Sequence, residues 1–415
     1  MSAADTRHHS GNLEGLASTA QNRVEGVDVL TPRALERRLK RYVYRATHDF
    51  LAVGAPGFEA VLLGEVRELP NVTEAKVVRG GVEFRGPLET IYHANLRLST
   101  AHRVLWRVAE FLAQSYPMLF NKAQKVAWER VLGFTETVRF SVSSRGSRLH
   151  HQPKIAQTIF SAAVAALSPL GLHPRVSDDA VLNVHVRLFQ DRCTLSLDTS
   201  GEHLHRRGYR THVGDAPLRE TLAAAILKTV GYKTFDLIVD PMCGSGTFLL
   251  EAARGLRGVP PGAQRSFAFE QFPSFQEAVW NRLKWGAEAR IHAANTTLLG
   301  FDLDPHTLTA ARRNAERAGV ADAVRFDTAD ALTLPYTSIR AGRNALLVCN
   351  PPYGRRLGDV NAHRLYAELS AALRSSPGWT FAILAPEPAW LELPTSARLE
   401  FQNGGLRVAL LLGQT

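Results

Sequence analysis

The pattern of apolar and polar positions differs between the two parts of the chain. Before residue 200, short alternating segments typical of strands are mixed with segments of helical spacing. Residues 48–55 read as a strand, 57–69 as a helix, and 75–86 as two strands around a Gly-Gly turn. A similar β-α-β-β order recurs within 91–198. The pattern therefore predicts two small α+β regions, each a sheet with helices on one face.

The pattern after residue 202 is different. Four short apolar segments, FDLIVDP, LLGFDLD, AVRFDTAD and ALLVCNPP, each end in an acidic or amide residue, and helix-like segments separate them. Strands that alternate with helices predict a parallel sheet covered on both faces, hence an α/β domain. Such sheets bind ligands at the carboxyl ends of their strands, where these polar residues lie.

Composition and charge narrow the class of protein. A chain of 415 residues suggests two to four domains. The net charge of +10 and pI of about 9.8 favour a polyanionic partner such as nucleic acid, although charge alone is weak support. No apolar run is long enough to cross a bilayer, and the first residues carry no signal sequence. Three cysteines without a CxxC pair argue against disulfides and a thiolate zinc site, and predict a cytoplasmic protein.

The first 46 residues look like a basic N-terminal extension. The segment 32–48 carries six arginines and lysines against one glutamate, Glu36. Such a segment can be a flexible tail or a solvated helix face, and it can also be a basic arm that touches RNA phosphates. We expect this extension to be flexible.

The sequence IVDPMCGSGTFLLEAA (238–253) is the first candidate site. A strand ends at Asp240, and a helix opens near Thr247 after a turn that contains Gly244 and Gly246. The glycines allow a ligand to approach the backbone, and the helix start offers free N–H groups. No lysine follows, so this is not a P-loop. An acid before a G-x-G turn suits a ligand with a cationic amino-acid end, although glycines chosen only for a compact turn would give the same pattern.

Acidic residues also follow the next two strands. Asp302, or as second choice Asp304, can accept hydrogen bonds from ribose hydroxyls, but either can instead cap the helix that begins at Pro305. Asp330 can meet an adenine amino group or be an ordinary loop residue. An insertion at 255–292, rich in Phe and Trp, must lie between the glycine turn and Asp302.

The tetrad Asn350-Pro351-Pro352-Tyr353 at a strand end is the most specific motif. Two acceptors, the Asn350 side-chain oxygen and the Pro351 carbonyl, can bind both N–H groups of an exocyclic base amine and make its nitrogen nucleophilic. The prolines fix the backbone, and Tyr353 can stack on a base that has left its helix. The structural alternative is a proline-rich turn with a capping asparagine.

With these motifs the chain resembles the class I S-adenosylmethionine-dependent methyltransferases of the amino-methylating type. The segment 197–227 followed by DPMCGSGT is similar to the family of bacterial ribosomal RNA large subunit methyltransferase L and its single-domain relatives. The resemblance covers about residues 47–415. It implies a ferredoxin-like region (47–90), a THUMP RNA-binding domain (91–199) and one Rossmann-like methyltransferase domain (200–415) with a seven-stranded, mostly parallel sheet.

The resemblance also implies an activity and a site. The activity is transfer of methyl from S-adenosylmethionine to guanine N2 in RNA, with 23S rRNA as the first choice of substrate, by a monomer that needs no metal. The implied catalytic residues are Asn350, Pro351, Pro352 and Tyr353. The implied cofactor-binding residues are Asp240, Pro241, Cys243, Gly244, Ser245, Gly246, Thr247, Asp302, Asp304, Asp330 and Asn350.

Two basic segments, 145–154 and 203–212, are candidates for RNA contact, although surface solubility explains them equally well. The predicted RNA-binding residues are Arg145, Arg148, Lys154, Arg206, Arg207 and Arg210. Cys243 and Cys349 flank the predicted cleft and read as small packing residues, since an exocyclic amine needs no covalent activation.

Three alternatives stay open at this stage. They are a tRNA guanine-N2 methyltransferase of the same architecture, a DNA adenine-N6 methyltransferase, and a non-catalytic RNA-binding ribosome-assembly factor. THUMP-like modules go with RNA and so argue against the DNA enzyme, and the intact tetrad and glycine turn argue against the assembly factor.

Overall fold

The structure is a computed structural model that describes residues 29–210, 218–353, 359–403 and 405–415. Its contacts separate two compact units. The larger unit contains residues 46–107, 196–271 and 275–415, and the smaller one contains residues up to 45, 108–195 and 272–274.

Helices and strands alternate through most of the described chain. The helices are α1 (Pro32–Tyr42), α2 (Glu59–Arg67), α3 (Thr90–Arg97), α4 (Tyr116–Ala123), α5 (Trp128–Val131), α6 (Gln152–Leu167), α7 (Glu220–Thr229), α8 (Thr247–Leu256), α9 (Glu277–Glu288), α10 (Pro305–Ala318), α11 (Tyr336–Arg340) and α12 (Asp359–Arg374). The strands are β1 (His48–Gly54), β2 (Glu74–Val78), β3 (Gly81–Gly86), β4 (Ala101–Leu112), β5 (Thr137–Arg145), β6 (Arg175–Val176), β7 (Asn183–Phe189), β8 (Arg192–Asp198), β9 (Leu237–Asp240), β10 (Thr297–Asp302), β11 (Val324–Thr328), β12 (Ala345–Cys349), β13 (Trp379–Ala385), β14 (Thr395–Asn403) and β15 (Leu406–Gln414).

The C-terminal part of the larger unit is built on a seven-stranded sheet. Its order is β11-β10-β9-β12-β13-β15-β14, parallel from β11 to β13 and antiparallel for the last two strands. Successive residues of β12 enter opposite cores: Leu346 belongs to one hydrophobic cluster and Leu347 to the other. Burial on both faces explains why these strands are continuously apolar. The prediction of a mostly parallel seven-stranded sheet is confirmed.

The ferredoxin-like region has the strand order β2-β3-β1-β4, and β1 pairs antiparallel with both β3 and β4. The pairing of Phe50 with Trp106 ties the first half of β4 to this sheet. The region therefore continues past residue 90, where the sequence pattern had suggested its end. The pattern recognised the local elements but could not show which sheet β4 would join.

The insertion after α8 packs on the ferredoxin-like region within the same unit. Phe269 lies 4.8 Å from Tyr92 of α3 and 5.1 Å from Trp280 of α9, measured between ring centroids. The Gln276 N–H donates to the Tyr92 hydroxyl at 3.0 Å. The aromatic residues that the sequence showed in this insertion therefore form a core between α3 and α9.

The smaller unit contains strands in the order β8-β7-β5-β6, with β5 parallel to β7. Gln190 and Asp191, both with positive φ, form the two-residue turn between β7 and β8. Helix α6 packs on β5 and on α4. This is the second α+β region that the alternation predicted.

Part of the N-terminal extension is a helix in the smaller unit. Thr31 caps α1, whose Leu35 and Leu39 are buried. Arg38 pairs with Glu129 at 3.2 Å. The expectation of a flexible extension is therefore wrong for residues 32–42, because their apolar positions at i and i+4 bury against the fold. Residues 1–28 lie outside the described part.

Candidate active site

The two candidate motifs and the acidic strand ends meet at one edge of the parallel sheet. Strands β10 and β12 both pair parallel with β9, the former with Gly300 opposite Asp240. Asp302 therefore lies two residues beyond Asp240 on the neighbouring strand. Asn350 follows the last residue of β12 on the other side. This is the edge at which parallel sheets bind ligands.

The turn after β9 is closed by backbone bonds. The Gly246 N–H donates to the Cys243 carbonyl at 2.8 Å, and the Cys243 N–H donates to the Phe301 carbonyl at 2.8 Å. Gly244 and Gly246 have φ of 53° and 85°, in the left-handed region that favours glycine. A Cβ on Gly246 would come within 3.1 Å of Phe326, whereas one on Gly244 would meet no atom of the described residues within 4 Å. Gly246 thus serves close packing, whereas the described chain leaves the space beside Gly244 open.

Asp302 joins the glycine turn to the next strand. Its Oδ2 accepts the Gly244 N–H at 2.9 Å, and its Oδ1 accepts the Asp304 N–H at 3.0 Å. Asp304 is exposed and caps α10, accepting from the His306 N–H at 2.9 Å and the Thr307 hydroxyl at 2.7 Å. Of the two acids, Asp302 lies at the turn, and Asp304 performs the capping role that the sequence offered as its alternative.

Asp240 is a buried carboxyl beside other acidic groups. Burial raises its pKa well above the ordinary value, the charge of Asp302 raises it further, and the hydrogen bond from the Met242 N–H at 3.2 Å opposes the shift. Burial also raises the thiol pKa values of Cys243 and Cys349, and Asp240 adds to both shifts. Protonated thiols are poor nucleophiles, so the arrangement suits packing roles for both cysteines.

The tip of β12 carries an unsatisfied acceptor. The Asn350 Oδ1 is buried, and no donor in the described part of the chain reaches it. Pro351 beside it is buried, whereas Pro352 and Tyr353 are half-buried. The Tyr353 hydroxyl accepts a hydrogen bond from the Asn403 Nδ2 at 3.0 Å. A buried acceptor without a donor is costly in a native fold, and a donor from a bound ligand would satisfy it.

The remaining predicted residues lie around the same edge. Asp330 follows β11, and its Oδ1 accepts the Leu332 N–H at 2.9 Å. Pro241 is buried in the turn. The Ser245 carbonyl accepts from Asn314 at 3.3 Å, and the Thr247 hydroxyl accepts from Arg210. All of them belong to the larger unit.

Two of the six predicted RNA-binding residues are internal instead. The Arg207 side chain is buried and pairs with Glu251 at 3.1 Å. Arg210 pairs with Glu220 at 3.3 Å and donates to the Thr247 hydroxyl at the start of α8. Their prediction as RNA ligands is wrong, because the carboxylates of Glu251 on α8 and Glu220 on α7 neutralise them inside the fold. The neighbouring residues 211 and 212 lie outside the described part.

The other four basic residues are open to solvent or nearly so. Arg145, Arg148 and Lys154 are exposed in the smaller unit, where Lys154 lies 4.3 Å from the centre of the Tyr116 ring. Arg206, in the larger unit, pairs with Glu202 at 2.9 Å, and both side chains are mostly exposed. These four can still meet an external anion.

Sequence analysis missed Glu220, Asn314 and Asn403 at the site. Glu220 and Asn314 hold Arg210 and the turn, and Asn403 holds Tyr353. Asn314 and Asn403 come from elements that are distant in sequence and carry no motif, and Glu220 lies in the segment 197–227, where nothing in the sequence showed that it would pair with Arg210. Only the strand and helix packing reveals them.

The described residues include no helix with the length and hydrophobicity that a bilayer crossing requires. Among those same residues, no group of three or more His, Cys, Asp or Glu could hold a metal ion.

The sheet order, with its antiparallel last hairpin and a glycine turn after β9, defines a class I methyltransferase fold. Three family models match the chain: the RlmL ferredoxin-like domain over residues 49–105, the THUMP domain over 113–198, and the RMKL-like methyltransferase domain over 207–402. The chain belongs to this RMKL-like methyltransferase family.

Curated relatives agree with this membership. A Synechocystis sp. protein named as an RNA methyltransferase is 32% identical over 377 residues, covering 88% of this chain and 96% of the relative. Ribosomal RNA large subunit methyltransferase K/L of Methylococcus capsulatus is 37% identical over 353 residues, covering 81% of this chain and 47% of the relative. The chain spans about half the length of the K/L relatives.

Solved structures have the same fold over most of the chain. The crystal structure of SMU.472, described as a methyltransferase complexed with S-adenosylhomocysteine, has a TM-score of 0.80 and 31% identity, over 89% of this chain and 98% of that one. A predicted N6-adenine-specific DNA methylase from Listeria monocytogenes has a TM-score of 0.79 and 28% identity, over 88% of this chain and 96% of that one.

Proposed function

We propose that this protein transfers a methyl group from S-adenosylmethionine to the exocyclic N2 amine of a guanine in RNA, with 23S rRNA as the substrate. Membership of the methyltransferase family supports the reaction type. The observation that carries the assignment to an amine is the buried Oδ1 of Asn350 at the tip of β12, which no donor among the described residues reaches.

The residues at the sheet edge fit the cofactor. S-adenosylmethionine, when bound, supplies a sulfonium methyl to a nucleophile. Asp240 and the Gly244–Gly246 turn would hold its methionine end, since the space beside Gly244 is open. Asp302 would bind the ribose and Asp330 the adenine. The pKa of Asp240 is raised by burial, so an ammonium group nearby would restore its charged form.

Asn350 and its neighbours would act on the base. The Asn350 Oδ1 and the Pro351 carbonyl would accept the two N–H groups of the amine, which localises the nitrogen lone pair for attack. Tyr353 would stack on the flipped base, and Asn403 would fix the tyrosine ring through its hydroxyl. Orientation and hydrogen bonding thus supply the catalysis, and no covalent intermediate is required.

RNA capture would use exposed basic residues on both units. Arg145, Arg148 and Lys154 are exposed within the range of the THUMP model, and Arg206 is exposed in the larger unit. The protein's net charge of +10 favours binding to the phosphate backbone. The choice of 23S rRNA rests on the names of the K/L relatives, of which the chain spans about half.

The test is methylation of RNA that lacks the modification. Total RNA is incubated with labelled S-adenosylmethionine, rRNA is separated from tRNA, and the nucleosides are analysed. We expect label in N2-methylguanosine from 23S rRNA, and none with Asn350→Ala. Label in N2-methylguanosine from tRNA would show that the substrate is tRNA and not 23S rRNA, with the same reaction.

Two other results would overturn the assignment to guanine N2 in RNA. Label in N6-methyladenine, tested with DNA in parallel, would favour the activity for which the Listeria protein is named. A protein that fails to bind S-adenosylmethionine in calorimetry would be a non-catalytic RNA-binding factor.

A further inference from the structure

A cavity lies in the larger unit, away from the candidate active site. Its volume is about 300 Å³, and its walls include the last turn of α8, the segment after α7, the chain after α9 and residues of α2 and α3. Arg254, which lines it, is seven residues from Thr247 along α8, or roughly 10 Å at the helical rise. The cavity and the glycine turn therefore lie toward opposite ends of the same helix.

The cavity is lined by more positive than negative side chains. Its carboxylates are those of Glu65 and Glu251. Its cations are those of Arg97, Lys228, Lys233, Arg254 and Arg290.

Both carboxylates are already bound within the fold. Glu65 accepts the Ser99 and Thr100 N–H groups, each at 3.0 Å, and pairs with Lys228 at 3.4 Å. Glu251 accepts from the Arg207 guanidinium at 3.1 Å and from the Tyr209 hydroxyl at 2.9 Å. Within the described residues, neither carboxylate pairs with Arg97, Lys233 or Arg290.

Three of the cations have no such partner. Arg97, Lys233 and Arg290 form no ion pair or side-chain hydrogen bond within the described residues. Burial lowers the pKa of Arg97, and the charge of Arg290 lowers it further, so the two guanidinium groups are close enough to repel. The same two charges add to the effect of burial in lowering the pKa of His93 to about 4. Like charges that line one cavity repel one another, and a bound anion would offset this electrostatic cost.

We propose that this cavity is a phosphate-binding site, in which Arg97, Arg290 and Lys233 hold the phosphate oxygens. Guanidinium groups match phosphate geometry through paired N–H donors, and the lysine adds a point charge. A cavity of about 300 Å³ is at the small end of ligand sites and admits a phosphate with part of its substituent. The phosphate belongs to an RNA backbone or to a small phosphorylated compound. The RNA source rests on the proposed function, whereas phosphate binding itself does not.

The test uses the full chain with two variants and a matched control. Arg97→Gln/Arg290→Gln removes the two adjacent charges, and Lys233→Glu reverses an exposed one without touching the interior. Arg282→Gln is the control, because Arg282 is an exposed arginine on α9 that does not line the cavity. Inorganic pyrophosphate is titrated by calorimetry at constant ionic strength, and deproteinised 23S rRNA is titrated by filter binding at several salt concentrations.

For an RNA source, both variants weaken rRNA binding about tenfold and reduce the slope of log K against log salt by about one per lost phosphate contact. For a small phosphorylated ligand, both variants lose pyrophosphate binding and retain rRNA binding. In either case Arg282→Gln behaves as wild type. If Lys233→Glu and the double variant leave both affinities unchanged, the cavity is not a phosphate site.

These measurements also separate this proposal from the proposed function. Affinity for S-adenosylmethionine, measured on the same samples, reports a folded catalytic domain and should not change. A protein that binds pyrophosphate at the cavity but methylates no RNA would refute the proposed function alone.

Discussion

The Gly244 N–H donates to the Oδ2 of Asp302 at 2.9 Å, which couples the glycine turn after β9 to the end of β10. One carboxylate thereby orders the backbone of the turn and can still face a ligand, since Asp302 is only half-buried. Through this bond Asp302 orders the turn, whereas Asp304, two residues later, caps α10.

Replacement of Asp302 by alanine should weaken S-adenosylmethionine binding at least tenfold, because the turn loses its acceptor and the ligand loses a ribose partner. Asp304→Ala is the control. It should keep the cofactor affinity and unfold at a slightly lower denaturant concentration, because the helix loses its cap. Calorimetry and denaturant melts measure the two effects. Equal cofactor affinity in wild type and Asp302→Ala would remove Asp302 from the cofactor site.

Asn350→Ala should lower methyl transfer at least about 100-fold, the usual scale for loss of an oriented hydrogen-bonding group, while cofactor affinity stays nearly unchanged. Asn344→Ala is the matched control at the other end of β12, where Asn344 donates to the Thr234 carbonyl at 2.9 Å. Single-turnover assays with labelled cofactor give the rates. Full activity in Asn350→Ala would show that Asn350 does not polarise the base amine.

Asn403→Ala should reduce kcat about tenfold without affecting cofactor binding, since Tyr353 loses the amide that holds its hydroxyl. Tyr353→Phe should give a similar loss. In the double variant the two losses should not add, because both changes remove the same hydrogen bond. Additive losses would mean that Asn403 acts independently of Tyr353.

Arg207→Ala should destabilise the protein by about 3–5 kcal/mol, because it leaves Glu251 buried without its charge partner. Arg206→Ala should change stability by less than about 0.5 kcal/mol, since its ion pair is exposed. The second variant should instead weaken RNA binding a few-fold. Thermal melts and filter binding distinguish the neighbouring arginines, and equal stability losses would contradict the assignment.

His93 should make the protein acid-sensitive. Its folded pKa of about 4 is lowered from 6.5, chiefly by burial and then by Arg97 and Arg290. The unfolded state therefore binds more protons between pH 6.5 and 4, so stability is full above 6.5 and falls as the pH drops through this window. His93→Asn should flatten the fall by about 1–3 kcal/mol, leaving the curves parallel above pH 7. Denaturant melts across pH 4–8 measure it, and an unchanged slope would exclude His93 as the titrating group.

Sequence patterns predicted the catalytic sheet well, because its signals are local. The continuous apolar strands, the glycines with positive φ and the Asn350–Tyr353 tetrad are all contained in short segments. They met at one edge as expected, since parallel strands place their carboxyl ends together. These local signals could not show which of Asp302 and Asp304 caps α10, because both lie at the end of the same strand.

The sequence did not show which charged side chains are buried. Arg206, Arg207 and Arg210 share one basic segment, yet Arg206 is exposed and the other two pair with Glu251 and Glu220. Composition cannot distinguish them, because the partner carboxylates lie on helices that come next to the segment only after folding.

The sequence by itself determined the order of strands and helices, the glycine turn and the chemical groups of the tetrad, since backbone preference and side-chain chemistry are properties of short segments. Tertiary structure alone decided that β4 joins the first sheet, that Asn403 reaches Tyr353, and that three cations without a partner among the described residues line one cavity. These outcomes depend on contacts between residues far apart in the chain, where burial and the position of each partner set the energy.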